Sequence, residues 1–199
     1  FRRLESGAIV MDNKFERNIK GALANNINVG IYFFSMAKTE EEAYEEAAWV
    51  LEVIKDYDIT YPIATDVEIF NQYRLAGVSY SQMTTNALAF CAYIRKNGYT
   101  PMIYSYANAL TKYFETGRFG ENRVWLAQYN DVVTYKGKYY MWQYTSNGYV
   151  PGINGRVDMD IAYFSVTSDA SATTPATGND GTPDLENVYF KDCDLDGTL

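Results

Sequence analysis

Histidine is absent from the 199 residues. Its absence removes Ser-His-Asp triads, Cys-His dyads and nearly all zinc chemistry. Cysteine is almost absent as well. Cys91 and Cys193 are too few for a disulfide scaffold or a thiolate metal site. No metal ion and no cofactor is therefore expected, and carboxylates, tyrosines and lysines are left as the groups able to do chemistry. No apolar run exceeds a handful of residues, so no segment spans a bilayer and no membrane partner is expected. No basic patch dominates, which argues against a nucleic-acid partner. No glycine-rich turn follows any strand candidate, which argues against a nucleotide-binding sheet. The chain opens at Phe1 and shows no signal peptide. It reads as a fragment or mature piece, so the missing signal says nothing about export.

What is present is ordinary in bulk: 47% hydrophobic and 21% charged residues, in a length that suits one domain with a short appendage. Aromatics are high at 16%, with 19 Tyr and 3 Trp. Such side chains offer a flat apolar face and a polar tip, which suits stacking on a sugar. The net charge of −8 is uneven. Seven acids against Lys191 leave Ser165–Leu199 at −6, so residues 1–164 carry only the remaining −2.

Along the chain, helical and extended patterns alternate. Phe1 to Leu4 reads as the stub of a strand. Asp12 to Asn25 reads as a helix with Phe15, Ile19, Ala22 and Leu23 on one face. Val29 to Phe34 reads as a buried strand. Thr39-Glu40-Glu41-Glu42 is a capping box opening a helix to Lys55, with Ala43, Ala47, Val50, Leu51 and Ile54 inward. Tyr61 to Glu68 is the next strand. Ser79-Tyr80-Ser81-Gln82 caps a helix that Gly98 stops. Pro101 to Tyr106 is a strand, and a short helix follows over Asn108 to Phe114. Three strands close the series: Val124 to Tyr129, Tyr139 to Thr145 and Asp158 to Phe164. Alternation implies βαβ units and a parallel sheet, either doubly wound or closed as a barrel. Beyond Phe164 the composition turns to Ser, Thr, Pro and Gly. Residues 165–184 read as a linker and 185–199 as an acidic tail or the start of a further module.

In a parallel α/β barrel, functional side chains sit at the C-terminal ends of strands. The second clear strand ends in Asp66-Val67-Glu68, and residues i and i+2 of a strand face the same way. Two carboxylates aimed at one site push at least one pKa up, which is how a carboxyl stays protonated near neutral pH. That is the equipment of a glycoside hydrolase. The plainer reading is a solvated strand end. The last strand brings a second i, i+2 pair, Asp158 and Asp160, for which a calcium site of oxygen ligands is the alternative. Aromatics gather at the same ends: Tyr32, Phe33 and Phe34, Tyr104 and Tyr106, Trp125 and Tyr129, Trp142 and Tyr144. Packing accounts for about half of them, and the rest are candidates to line a sugar groove.

These residues carry a resemblance. A strand closing on DVE, an upstream GIYFF, then MIYSY, VWLAQYN and YYMWQYTSNGYVPGINGRVDMDIAYF together resemble glycoside hydrolase family 25, the N-acetylmuramidase lysozymes. The likeness runs from about residue 7 to 164, and the closing WQYTS-G-VPGI-G-VD pattern is its most specific part. It implies an α/β fold, a TIM-like β/α barrel of five βα units followed by plain strands. It implies cleavage of the β-1,4 bond between N-acetylmuramic acid and N-acetylglucosamine in peptidoglycan. By the same resemblance Glu68 is the proton donor, Asp66 its carboxylate neighbour and Asp158 a further acid of the site. Tyr32 is a substrate-positioning tyrosine, and Tyr104, Trp125, Gln128, Tyr129 and Trp142 are groove residues. Asp160 stands where the family often has Asn and is read as structural.

Family members begin with a strand bearing an Asp-x-Ser motif, which this chain lacks. An N-terminally truncated barrel is therefore expected, with exposed strand edges that invite self-association. The partner expected is the glycan strand of peptidoglycan, and the location is secreted or wall-associated. The alternative function is a peptidoglycan-binding module that grips without cutting. Chitin hydrolysis by a related barrel ranks below both, because Pro62 and Ala64 occupy positions where that family carries further Asp residues. Asp192-Cys193-Asp194-Leu195-Asp196-Gly197 matches the start of an EF-hand loop, and DLDGTL the nucleophile motif of haloacid dehalogenase-type phosphatases. Neither has its supporting pattern here, and the acidic tail is read as disordered.

Overall fold

The computed structural model describes residues 1–164 and, as backbone, strand residues 186–190. The linker 165–184 and most of the acidic tail, with their EF-hand-like and phosphatase-like motifs, lie outside the described residues. Two compact units are present, Phe1–Arg123 and Val124–Leu199.

The first unit contains strands β1 (Arg2–Arg3), β2 (Ile9–Val10), β3 (Ile31–Phe34), β4 (Ile63–Asp66) and β5 (Pro101–Tyr106). Its helices are α1 (Phe15–Ala24), α2 (Glu40–Ile54), α3 (Tyr80–Lys96) and α4 (Ala107–Lys112). The sheet order is β2-β1-β3-β4-β5. β1, β3, β4 and β5 run parallel, and β2 turns back antiparallel on β1. The α/β class read from the sequence holds, and the expected stub at Phe1–Leu4 is β1, paired to β3 through Arg2 and Phe34. The two-residue β2 has no pattern in the sequence long enough to betray it.

Helix boundaries follow their caps. Thr39 Oγ1 accepts from Glu42 N at 3.4 Å, and Ser79 Oγ accepts from Gln82 N at 3.1 Å. Neither box is reciprocal, because Glu42 accepts from Lys38 N and Arg74, while Gln82 donates to Asn86. α1 starts at Phe15 rather than Asp12, because Asp12 Oδ1 accepts from Lys14 N at 2.7 Å and turns the chain before the helix. α3 ends where expected, with Gly98 at φ +87°.

The core of this unit lies between the helices and one face of the sheet. Ile31, Phe33 and Ile63 pack on Ala43, Ala47, Val50 and Ile54 of α2 and on Phe90 and Ile94 of α3. Phe33 and Phe90 are fully buried, with ring centroids 6.4 Å apart. Burying such a ring contributes about 1.5–3 kcal/mol. Leu51, read as inward, is only half-buried, and Glu46 joins Ala47, Val50 and Ile54 among the fully buried residues of α2.

The second unit opens with β6 (Arg123–Ala127), parallel to β7 (Met141–Gly148). β7 pairs antiparallel with β8 (Val157–Ala162), and β8 with β9 (Glu186–Phe190). Register shifts at Gln143/Thr145 and Thr145/Gly148 mark bulges in β7. The run of strands without intervening helices matches the sequence reading, whereas β9 falls in the stretch read as acidic tail. The β7–β8 connection turns on Gly152 and Gly155, both at positive φ.

Candidate active site

In the first unit, parallel register decides which side chains share a face. Tyr32, Ala64 and Met102 form one lateral row across β3, β4 and β5, and Phe34, Asp66 and Tyr104 form the next. The odd-numbered neighbours Phe33, Thr65 and Ile103 face the other way, with Phe33 in the helix-packed core. β3 alternates buried and half-buried residues, with Tyr32 and Phe34 half-exposed on the Asp66 face. Asp66 is 5% exposed. The strand end around it is pinned: Ser35 N donates to Asp66 O at 2.8 Å, Val67 N to Tyr104 O at 3.1 Å, and Ser105 Oγ to Val67 O at 2.6 Å.

β4 ends at Asp66, so Glu68 lies two residues beyond the strand rather than in it. The alternation argument therefore covers Asp66, while the segment after the strand positions Glu68. Glu68 is half-buried and close enough to Tyr106 to oppose ionisation of its phenol. Burial is the main reason that phenol is held above its ordinary pKa, with Tyr113, Glu68 and Tyr80 adding to it.

The segment from Glu68 to α3 is braced from outside. Arg74 donates to both Glu42 carboxylate oxygens and to Met36 O. The guanidinium holds the Glu42 carboxyl down at about 2. Asn71 Oδ1 accepts from Gly77 N at 3.1 Å. Beneath this lies a pair the sequence did not announce. Arg3 Nε donates to Glu46 Oε1 at 2.7 Å, and Ser35 Oγ donates to Glu46 Oε2 at 2.6 Å. Arg3 is 3% exposed and Glu46 is fully buried. Desolvation lifts the Glu46 carboxyl to about 7, against the pull of Ser35 and Arg3. In the sequence Glu46 looks like any acid on an exposed helix face.

In the second unit, Trp125 Nε1 donates to Asp160 Oδ1 at 2.6 Å. Trp125 is 5% exposed and Asp160 is 1% exposed. Asp158 stands on the same face of β8 as Asp160 and is half-buried. Burial is the chief cause that raises the Asp160 carboxyl to about 8; the Trp125 N–H opposes it and the Asp158 charge adds to it. Among the described residues no cluster of three His, Cys, Asp or Glu is placed to hold a metal ion.

The remaining groove candidates take separate roles. Gln128 Oε1 accepts from Thr134 N and Tyr135 N, and its Nε2 donates to Thr134 Oγ1. Its amide thus organises its own loop. Trp142 Nε1 donates to Gln128 O at 2.8 Å, and Tyr129 OH donates to Gln143 Oε1 at 2.8 Å. Trp125 is in register with Met141 and Leu126 with Trp142, so the two tryptophans stand on opposite faces of β6 and β7. Sequence spacing missed Gln143, which is 3% exposed, opposite Asp160 on β8 and bonded to Tyr129.

Asp66 closes a parallel strand of an α/β domain, with Tyr32 and Tyr104 on the same sheet face and Glu68 two residues beyond. The sequence model for glycosyl hydrolases family 25 matches residues 1–153, and the chain belongs to that family. An autolytic lysozyme of Clostridium acetobutylicum is 24% identical over 155 residues, which span 77% of this chain and 45% of that protein. The modular autolysin LytC of Streptococcus pneumoniae is 27% identical with a TM-score of 0.67, over 76% of this chain and 37% of that one. A family 25 glycosyl hydrolase from Bacillus anthracis is 20% identical with a TM-score of 0.62, over 80% of this chain and 75% of that one. The chain thus spans less than half the length of the first two. The expected fold class, α/β of the TIM-like kind, is the fold of these structures.

Proposed function

We propose that this chain is a lysozyme-type N-acetylmuramidase, hydrolysing the β-1,4 bond between N-acetylmuramic acid and N-acetylglucosamine in bacterial peptidoglycan. The observation that carries the reading is Asp66 at the C-terminal end of β4, on the sheet face lined by Tyr32 and Tyr104, with Glu68 two residues beyond the strand. Family membership supports it, as does the solved complex of LytC with a synthetic peptidoglycan ligand. In this reading Glu68 gives its proton to the glycosidic oxygen as the bond breaks. Asp66 and Asp158 stabilise the positive charge that develops on the sugar ring or orient the attacking water. Tyr32 positions the substrate, and Tyr104, Trp125, Gln128, Tyr129 and Trp142 belong to the groove or support it. Its place of action is outside the cell or in the wall, where the polymer is.

Incubating purified peptidoglycan with the protein and reading the products by mass spectrometry tests this. New fragments with reducing N-acetylmuramic acid ends are expected. Glu68→Gln is expected to lower their rate of appearance by about 10²–10⁴-fold while the fold survives. Undiminished lysis by that variant overturns the assignment of Glu68. Saturable wall binding with no new reducing ends would instead favour a binding module.

A further inference from the structure

Beside Glu68 the first unit carries an aromatic assembly that the proposed reaction does not use. Phe70 is 6% exposed and sits two residues beyond Glu68. Three tyrosines from three elements surround it: Tyr106 at the end of β5, Tyr113 just after α4 and Tyr80 at the start of α3. Their ring centroids lie 6.1, 5.0 and 6.4 Å from that of Phe70. Tyr80 and Tyr113 meet each other at 4.9 Å, with their planes 36° apart. The assembly runs from Tyr106, which feels the charge of Glu68, to Tyr80, which is 40% exposed.

We propose that Tyr80 and Tyr113, seated on Phe70, form a stacking platform for a further pyranose ring of the glycan strand, next to the bond that Glu68 addresses. The inference rests on the muramidase reading for the identity of the polymer. A packing role alone calls for apolar rings shielded from water. Here the shielded hub Phe70 packs on the buried Phe114 at 5.4 Å, whereas the other rings that meet it are the half-buried Tyr106 and Tyr113 and the exposed Tyr80. A ring that is flat and apolar on its face and polar at its tip fits a sugar, which shows C–H bonds on one face and hydroxyls at its rim.

The backbone leading from Phe70 to Tyr80 gives independent support. Asn71 and Tyr73 hold φ of 53° and 49°, left-handed conformations that cost non-glycine residues energy. Arg74 and Asn71 brace the segment through Glu42, Met36 O and Gly77 N. Strain held by such bracing places Phe70 and Tyr80 in a defined geometry rather than leaving them to a loose loop.

The test uses glycan oligosaccharides of increasing length with the whole chain. In the Glu68→Gln protein, calorimetry reads binding without turnover. Tyr80→Ala and Tyr113→Ala are each expected to weaken binding of the longer oligosaccharides by about three- to tenfold, while Tyr113→Phe, which keeps the ring, restores it. In the parent protein the same changes are expected to raise KM on long strands more than they lower kcat. Unchanged binding of the longer oligosaccharides by both alanine variants overturns the platform. So does a loss that Tyr113→Phe fails to restore. Should Tyr113→Ala not fold, Tyr80→Ser at the exposed helix start takes its place with the same expectation. A parent protein that binds glycan but releases no reducing ends defeats the muramidase reading and leaves the binding comparison intact.

Discussion

Trp125 and Asp160 are joined by a 2.6 Å hydrogen bond from the indole N–H to a carboxyl that is 1% exposed. An ionised carboxylate at such a depth, beside Asp158, is costly, and the Asp160 pKa is raised to about 8. At neutral pH the group is mostly a neutral acid.

A carboxyl that binds its proton more tightly in the folded chain contributes stability below its unfolded pKa, near 4. That contribution is lost as pH rises to about 8. Asp160→Asn keeps an oxygen for the Trp125 indole and removes the titration. The variant is expected to lose less stability than the parent between pH 5 and pH 8.5 in thermal melts. Equal losses in the two proteins would contradict a protonated Asp160.

The buried Arg3–Glu46 pair predicts a large single effect and a small double one. Arg3→Met strands the Glu46 carboxyl without its cation and is expected to cost about 3–5 kcal/mol in urea unfolding. Adding Glu46→Leu removes the stranded group and is expected to recover most of that loss. A single variant within about 1 kcal/mol of the parent would show that Ser35 alone satisfies Glu46.

Gln128 closes its loop through three hydrogen bonds to Thr134 and Tyr135. Gln128→Ala leaves two backbone amides without acceptors, a cost of about 1–3 kcal/mol for each where it is shielded. Hydrogen exchange at the Thr134 and Tyr135 amides is expected to accelerate about tenfold or more, with β4 and β5 unaffected. Unchanged exchange there would mean water replaces the side chain at no cost.

Two glycines predict opposite signs. A Cβ at Gly30 would lie 2.8 Å from Pro62 O and 2.9 Å from Tyr61 Cβ, both held by the β3–β4 approach. Gly30→Ala is expected to destabilise by about 1–3 kcal/mol. A Cβ at Gly21, inside α1, meets nothing within 4 Å. Gly21→Ala is expected to stabilise by up to about 1 kcal/mol through helix propensity. Unfolding curves for the pair settle both.

Local signals in the sequence located most elements. The caps at Thr39 and Ser79 and the stop at Gly98 are read from a few neighbouring residues, and the structure places α2 and α3 within a residue or two of them. β5 matches its predicted span, while β3, β4 and β6 are shorter than their apolar runs. Hydrophobicity continues past the point where a strand stops pairing. The Asp66–Glu68 pair was visible as residue types and spacing, and the two acids on β8 likewise.

The sequence by itself determined the α/β order, the ends of α2 and α3 and the carboxylates that could do chemistry, because each is written in contacts of a few residues. Only the tertiary structure decided which charges lose their water and which side chains share a face. Glu46 is buried because Arg3, 43 positions away, comes to lie against it. Asp160 is buried against Trp125, 35 positions away. Trp125 and Trp142 look alike as strand aromatics, and parallel register puts them on opposite faces. Burial and register belong to neighbours distant in the chain, and no local pattern encodes them.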